Sequence, residues 1–267
     1  MTFDYPSQTV LLTGASSGIG RQFAIALAER GASLVLVARR LELLEALAAE
    51  LTAKHGVAVH AIAADLSSAA AARDLRDAVA ARGLAVTSVI NNAGFGTFGP
   101  FVDENLERLE QEIAVDVAAP VALSHRFLPD LLRHNSGFLI NVASMAAYTP
   151  APRMAVYAAS KAFVLSFTEA LWAELRGSNL TVFALSPGAT STEFNTVVGT
   201  EDATAGARMR TAADVVTTAL AHLEKRDPGP SVIDGAGNRI GAALGRLADR
   251  RAAVTLMNRL TDPARRG

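Results

Sequence analysis

The sequence predicts an α/β fold in which a single doubly wound parallel sheet of about seven strands carries helices on both faces. Three observations predict it. Short apolar runs alternate with longer stretches whose apolar residues recur at helical spacing. The runs lack polar alternation, the mark of strands buried on both faces, as in a parallel sheet. The first run also ends in a glycine cluster, where a strand would turn sharply into a helix. Strands alternating with helices imply right-handed crossovers, and ligands of such sheets sit at the carboxyl ends of the strands near the switch point.

The elements follow in order. Residues 9–13 (TVLLT) form the first run, and 19–30 a helix stopped by Gly31. Residues 33–38 (SLVLVA) are the second run; 41–55 are a helix, Leu-rich on one stripe and Glu-marked on the other, ending at Gly56. Residues 57–63 are the third run, followed by an Ala-rich helix over 69–82 that ends at Gly83. The fourth run is 86–90, and 103–134 read as one helix kinked at Pro120. The fifth run is 138–142, and the helix over 153–176 is closed by Gly177. A sixth run over 180–185, a helix over 212–225 and a seventh run over 231–233 complete the pattern. No Pro/Ser/Gly linker divides the chain, so residues 1–267 read as one domain.

Composition narrows the function. The chain has 267 residues, half of them hydrophobic, enough for one large core and too many for disorder. With 25 basic and 26 acidic residues it has no net field to draw nucleic acid or a membrane, so no nucleic-acid partner is expected. Cysteine is absent, which excludes disulfides, thiolate metal sites and cysteine nucleophiles. The five histidines show no metal-ligand spacing, so no metal is expected. The first eight residues lack a basic start and an apolar run, which together with the missing cysteine predicts a cytoplasmic protein.

The glycine turn reads Thr13-Gly14-Ala15-Ser16-Ser17-Gly18-Ile19-Gly20. Glycines here let the backbone approach a pyrophosphate and aim a helix N-terminus at it. The same residues match the G-x-S-x-G elbow of serine hydrolases, but too little chain precedes them to build the strands and oxyanion loop that elbow needs. The second run ends Val37-Ala38-Arg39-Arg40, with alanine where a ribose-binding acid would stand. Two guanidinium groups suit a 2′-phosphate, so the expected cofactor is NADP(H).

Tyr157 and Lys161 stand four apart on one helix and share a face. An ammonium beside a phenol favours the phenolate, and a tyrosine so tuned can trade protons near neutral pH. Ser144 follows the fifth run, where its hydroxyl could hold a carbonyl oxygen beside that tyrosine.

With TGASSGIG (13–20), Asp65-Leu66, NNAG (91–94), Ser144, YAASK (157–161) and Pro187-Gly188 in this order and spacing, the chain resembles the classical short-chain dehydrogenases/reductases over residues 7–235. The resemblance implies a Rossmann-type NAD(P)-binding fold and roles for particular residues. Gly14, Ser16, Ser17, Gly18, Ile19 and Gly20 would surround the phosphates. Asp65 and Leu66 would frame the adenine, with Asn92, Ala93 and Gly94 on the adenosine ribose side and Asn91 steadying the central strand. Lys161 would bond the nicotinamide ribose, and Pro187, Gly188, Thr190 and Thr192 would hold the nicotinamide end. Ser144 would orient the substrate oxygen while Tyr157 gives up its proton. Asp116 departs from the pattern: the family usually carries asparagine there. In the family the backbone carbonyl of that residue holds a water in a proton relay to the lysine, so the resemblance implies a relay that survives at Asp116 if only the backbone matters. A carboxylate near Lys161 would also raise the lysine pKa, weaken its help to Tyr157 and shift the pH dependence.

Residues 189–210 would form a substrate lid, with Phe194, Val197 and Val198 as apolar contacts and Phe95, Phe98, Phe101 and Met145 adding wall. Residues 236–267 read as a basic amphipathic extension with seven arginines from Arg239 onward. It would cover the cleft or a subunit contact, touch an anionic membrane surface, or lie solvated. The expected function is a carbonyl reductase or alcohol dehydrogenase on an apolar substrate, working as a homodimer or homotetramer. The alternative is a nucleotide-binding sensor or scaffold without turnover.

Overall fold

The computed structural model describes residues 3–134, 136–194, 209–247 and 249–262. Strands β1 (Thr9–Thr13), β2 (Ser33–Ala38), β3 (Val59–Ala63), β4 (Ser88–Asn91), β5 (Gly137–Val142) and β6 (Leu180–Ser186) join β9 (Ser231–Ile233) in one sheet, ordered β3-β2-β1-β4-β5-β6-β9. Every pairing in it is parallel. The order reverses between β1 and β4, which opens a crevice at their carboxyl ends.

Successive strand residues face opposite layers, as the pleat requires. Val10, Leu12, Leu34, Leu36, Ile90 and Phe183 pack with α1 (Gly18–Ala28), α2 (Leu41–His55) and α7 (Ala212–Leu223). Leu11, Val35, Val37, Val89, Leu139 and Val182 pack with α3 (Ala71–Ala81), α5 (Ala119–Arg133) and the end of α6 (Ala155–Glu174). The sheet is therefore buried on both sides, which is why its strands read as unbroken apolar runs. No helix among the described residues is long and apolar enough to cross a membrane.

One expected element divides. The helix read over 103–134 is a 3-10 turn, then α4 (Leu106–Ile113), a π-helical turn (Ala114–Ala118) and α5. Asn105 starts α4 by accepting the Arg108 N–H at 2.9 Å. Pro120, near the start of α5, has no N–H to give the carbonyl of Asp116 four residues back, so the α ladder is interrupted there. The widened turn that results carries Asp116. The helix expected from 153 begins instead at Ala155, because Arg153 is left-handed at φ 67°.

The neck of the segment after β6 is pinned. Two-residue strands β7 (Thr190–Ser191) and β8 (Arg210–Thr211) pair in parallel, and Arg210 forms an ion pair with the buried Asp234 at the end of β9. Most of the expected lid, including Val197 and Val198, lies outside the described residues. The extension forms α8 (Ala236–Leu247) and α9 (Arg250–Leu260).

Candidate active site

The crevice is built first from backbone. Gly14 has φ 68°, and a Cβ there would stand 2.7 Å from Asn92 Nδ2, so the glycine turn and the β4 loop touch. Thr13 Oγ1 accepts the N–H groups of Asn92 and Ala93, both at 3.0 Å, and Asn92 Nδ2 donates to the Thr13 carbonyl at 2.9 Å. Ser17 stands at the N-cap of α1 and makes no side-chain cap, which leaves the first-turn N–H groups directed at the turn. That arrangement fits a phosphate group, and α1 supplies the dipole. On the opposite side Gly18 lies against Thr192: a Cβ on it would come within 3.1 Å.

Arg39 and Arg40 are exposed at the end of β2. Arg40 donates to Ser16 Oγ at 3.1 Å and pairs with Glu193 at 2.9 Å. The Arg40 guanidinium, chiefly by this hydrogen bond, holds the Glu193 carboxyl below its ordinary range. Asp65 accepts the N–H and hydroxyl of Ser67 at 3.0 and 2.8 Å, which lowers its pKa and shapes the turn after β3. The Leu66 side chain is buried in the core. Asn91 donates to Asn141 on the neighbouring strand β5 and to Ser124 on α5, tying the central strand to its neighbours.

The second wall is built from side chains. Ser144, extended at φ −168°, caps a short turn by accepting the Ala146 N–H at 3.1 Å. Met145 N–H donates to the Pro187 carbonyl at 2.8 Å, which holds the Ser144 turn against the loop after β6. Lys161, 4% exposed, donates to the Val142 carbonyl at 3.3 Å and pairs with Asp116 Oδ2 at 3.0 Å. Its nitrogen stands 5.5 Å from the centre of the Tyr157 ring. Asp116 is fully buried, and its Oδ1 accepts the Phe95 N–H at 3.1 Å. A Cβ on Gly94 would lie 2.9 Å from both Asp116 Oδ1 and Lys161 Nζ, so the glycine is what lets this loop cover the pair.

Burial governs the titration of this group. It pushes the Tyr157 phenol up, outweighing the downward pull of Lys161 and of the Ser144 hydrogen bond. Lys161 pulls the phenol down, as expected from the sequence, but burial outweighs it, and the charge of Asp116 adds a smaller upward push. Burial alone would lower the Lys161 pKa, but the carboxylate of Asp116 and then Tyr157 carry it upward, the direction expected from the sequence. The Asp116 carboxyl is itself raised by burial against the pull of Lys161.

Beside Tyr157 the wall is apolar. Phe194 lies 5.3 Å away, ring centre to ring centre, and Phe98, Ala151 and Met154 join the cluster. Phe95 instead lies under the Arg108 guanidinium at 3.8 Å, and Phe101 is 67% exposed. Sequence reasoning missed Met154 and Asn238. Asn238, at the start of α8, donates to the Asp234 carbonyl at 2.6 Å and packs on Gly188, where a Cβ would stand 2.2 Å from its amide nitrogen. The extension thus borders the nicotinamide end of the expected site. Arg153 ties it down further, reaching Asn258, Thr261 and Asp262 on and after α9. Ile240, Leu244 and Leu256 are exposed on its outer side.

Comparison with known proteins gives a family model described as short chain dehydrogenase that matches residues 8–203. A short chain dehydrogenase of Pseudocercospora fijiensis is 39% identical over 189 residues, covering 70% of this chain and 61% of that protein. A short-chain dehydrogenase from Sphingobium yanoikuyae, solved in complex with NADPH, is 34% identical with a TM-score of 0.79, covering 91% of this chain and 96% of that one. A short chain dehydrogenase/reductase from Burkholderia phymatum, solved in complex with NAD, is 25% identical with a TM-score of 0.81, covering 91% and 94%.

Proposed function

Because the chain belongs to the short-chain dehydrogenase family, we propose that it is an oxidoreductase that interconverts a carbonyl and an alcohol with NADP(H). The observation that carries this reading is the meeting of Ser144, Tyr157 and Lys161 at the carboxyl edge of the sheet, beside an apolar wall. The dinucleotide, when bound, supplies or accepts the hydride. The uncapped start of α1 would take its phosphates, and the Thr190–Thr192 segment would hold its nicotinamide end.

The chain's own residues do the rest. Ser144 Oγ would donate to the substrate oxygen and hold it beside the phenol. Tyr157 would give that oxygen its proton in reduction and take it back in oxidation. Its raised pKa keeps it protonated at neutral pH, the state needed to act as an acid. Lys161 would stabilise the phenolate left behind. Phe98, Met154 and Phe194 would exclude water and favour an apolar substrate.

NADP(H) is preferred over NAD(H) in this reading because Ala38 offers no carboxylate to a 2′-hydroxyl and Arg40 reaches across to Ser16 on the phosphate turn. An apolar groove of about 360 Å³ on α4–α6, lined by Ile113, Val117, Val156, Ala159 and Phe163, fits pairing with a second copy of the chain.

The test is an NADPH-oxidation screen from short aldehydes to long-chain 3-keto esters, with Tyr157→Phe alongside. Turnover that collapses in the variant is expected. Saturable NADPH binding with no turnover on any compound would overturn the reading in favour of a nucleotide sensor.

A further inference from the structure

The balanced charge of the whole chain hides an uneven distribution. Residues 236–267 hold seven arginines against Asp249 and Asp262 and no other charged side chain, a net of +5, so the other 235 residues carry −6. Both aspartates are engaged. Asp249 caps α9 by accepting the Ala252 N–H at 3.1 Å, and Asp262 pairs with Arg153 at 3.4 Å. Arg239, Arg250, Arg251 and Arg259 are exposed, and among the described residues none of them forms an ion pair. The apolar residues of the extension are as uneven. On α8 the buried Ala242 faces the protein, and a Cβ on Gly245 would lie 3.4 Å from Thr149. Ile240 and Leu244 flank Ala242 at two residues on either side, about 200° round the helix from it, so they point outward. Each is 62% exposed. Of the exposed described residues of α8 only Arg239 is polar. On α9 Leu256 is exposed in the same way. The two helices are held on a fixed platform, by Asn238 on the Asp234 carbonyl and by Arg153 on Asn258.

We propose that α8 and α9 form a docking surface for an anionic lipid bilayer, in which Ile240, Leu244 and Leu256 enter the headgroup boundary and the arginines meet lipid phosphates. Charge selects this occupant. Exposed apolar side chains alone would suit many partners, but joined to a surplus of arginine they suit an anionic surface. A second copy docked on the same face about a two-fold axis would set arginine against arginine, with both aspartates already engaged. The groove on α4–α6, lined by uncharged residues, offers a second copy a face without that repulsion. Helices of 12 and 11 residues are too short to cross a bilayer, so the contact is with its surface.

The two kinds of side chain contribute differently. An arginine near an anionic surface contributes about five-fold to binding, and salt screens that gain. Burying an isoleucine or leucine contributes about ten-fold or more, and salt does not screen it. Neither set alone gives firm attachment, so both are needed. No substrate or cofactor enters the inference, and it does not rest on the reductase reading.

The test is co-sedimentation of the whole chain with phosphatidylcholine vesicles, with or without phosphatidylglycerol, at low and at high salt. Wild type is compared with Ile240→Gln/Leu244→Gln and with Arg250→Gln/Arg251→Gln, glutamine being a good helix former. Light scattering and denaturant unfolding of each, without lipid, accompany it. Wild type is expected to sediment with the phosphatidylglycerol vesicles and to be released by salt. The arginine variant is expected to bind about 25-fold more weakly at low salt. The Ile240/Leu244 variant is expected to lose about ten-fold or more. Mass and unfolding midpoint should be unchanged in both. Wild type that stays in the supernatant with both vesicle types would overturn the proposal, as would sedimentation indifferent to phosphatidylglycerol or to either substitution. A lighter oligomer in Ile240→Gln/Leu244→Gln would give the face to a second copy, and a lowered midpoint would give it to another segment of this chain; either overturns lipid docking. The vesicle assay needs no turnover, so this inference and the reductase reading stand or fall separately.

Discussion

Two acid–base pairs flank the cleft at nearly equal distance and in opposite surroundings. Arg40 and Glu193 meet at 2.9 Å with side chains 47% and 56% exposed. Lys161 and Asp116 meet at 3.0 Å with side chains 5% and 0% exposed. Distance alone would rank them equal. Water and salt screen the first pair, and holding two long side chains in place offsets most of its attraction. The second pair has surrendered its hydration, so each charge depends on the other. The outer pair can therefore open to admit a ligand at little cost, whereas the inner pair is fixed and sets the protonation of everything near it.

The most severe way to break the comparison is Lys161→Met. It leaves Asp116 buried without its cation, a change that costs about 3–5 kcal/mol in comparable sites. Asp116 can answer by taking a proton, so the loss is expected to be largest at high pH and to shrink as pH falls. Denaturant unfolding at several pH values checks this; a uniform loss across pH would mean that the lysine contributes packing and not charge. Next in size is Arg40→Ala. Losing a charged hydrogen bond to phosphate corresponds to about 1.5–3 kcal/mol, or roughly a ten- to hundred-fold weaker NADPH complex. NADH binding is expected to stay unchanged, and equal weakening of both in a fluorescence titration would remove Arg40 from the 2′-phosphate.

How much of this was legible in the sequence follows the same division. The sheet, its switch point and the glycine turn are local: apolar runs and Gly14, Gly18 and Gly20 carry their meaning along the chain. Tyr157 and Lys161 share a helical face by spacing alone. Asp116 stood out only against the family pattern. The burial of Glu112 on α4 was hidden, because the LERLEQEI segment reads as a solvated charged helix until the β4 loop covers it. The signal was there in its three-residue spacing from Leu109 and four-residue spacing to Asp116. The break at 114–118 was half visible: Pro120 announced a kink, but the widening that swings Asp116 inward depends on packing against α6. Met154 and Asn238 owe their places to tertiary approach, at the left-handed Arg153 and at the Gly188 turn, and no local pattern marks either.

Gly94→Ala sharpens the inner half of the comparison. The added methyl group would sit 2.9 Å from both Asp116 Oδ1 and Lys161 Nζ, so either a side chain of the pair or the β4 loop must shift. A stability loss of about 1–3 kcal/mol is expected, with the pH dependence of unfolding altered because the pair is pried apart. A loss that leaves the pH dependence intact would mean the β4 loop moves and the pair does not.

The smallest effect belongs to Glu193. Its carboxylate and a 2′-phosphate would compete for the same guanidinium, so Glu193→Gln removes the competitor and one negative charge. Stability is expected to change by no more than about 0.2–1 kcal/mol, since the pair is half exposed. NADPH affinity is expected to rise a few-fold at low ionic strength, with the gain fading as salt rises because the competition is electrostatic. NADH affinity should not move. A gain that persists in high salt would show that Glu193 obstructs by its bulk, and weaker NADPH binding would mean that it holds Arg40 in the pose the phosphate needs. Either result would separate what charge does at the open edge of this cleft from what burial does at its centre.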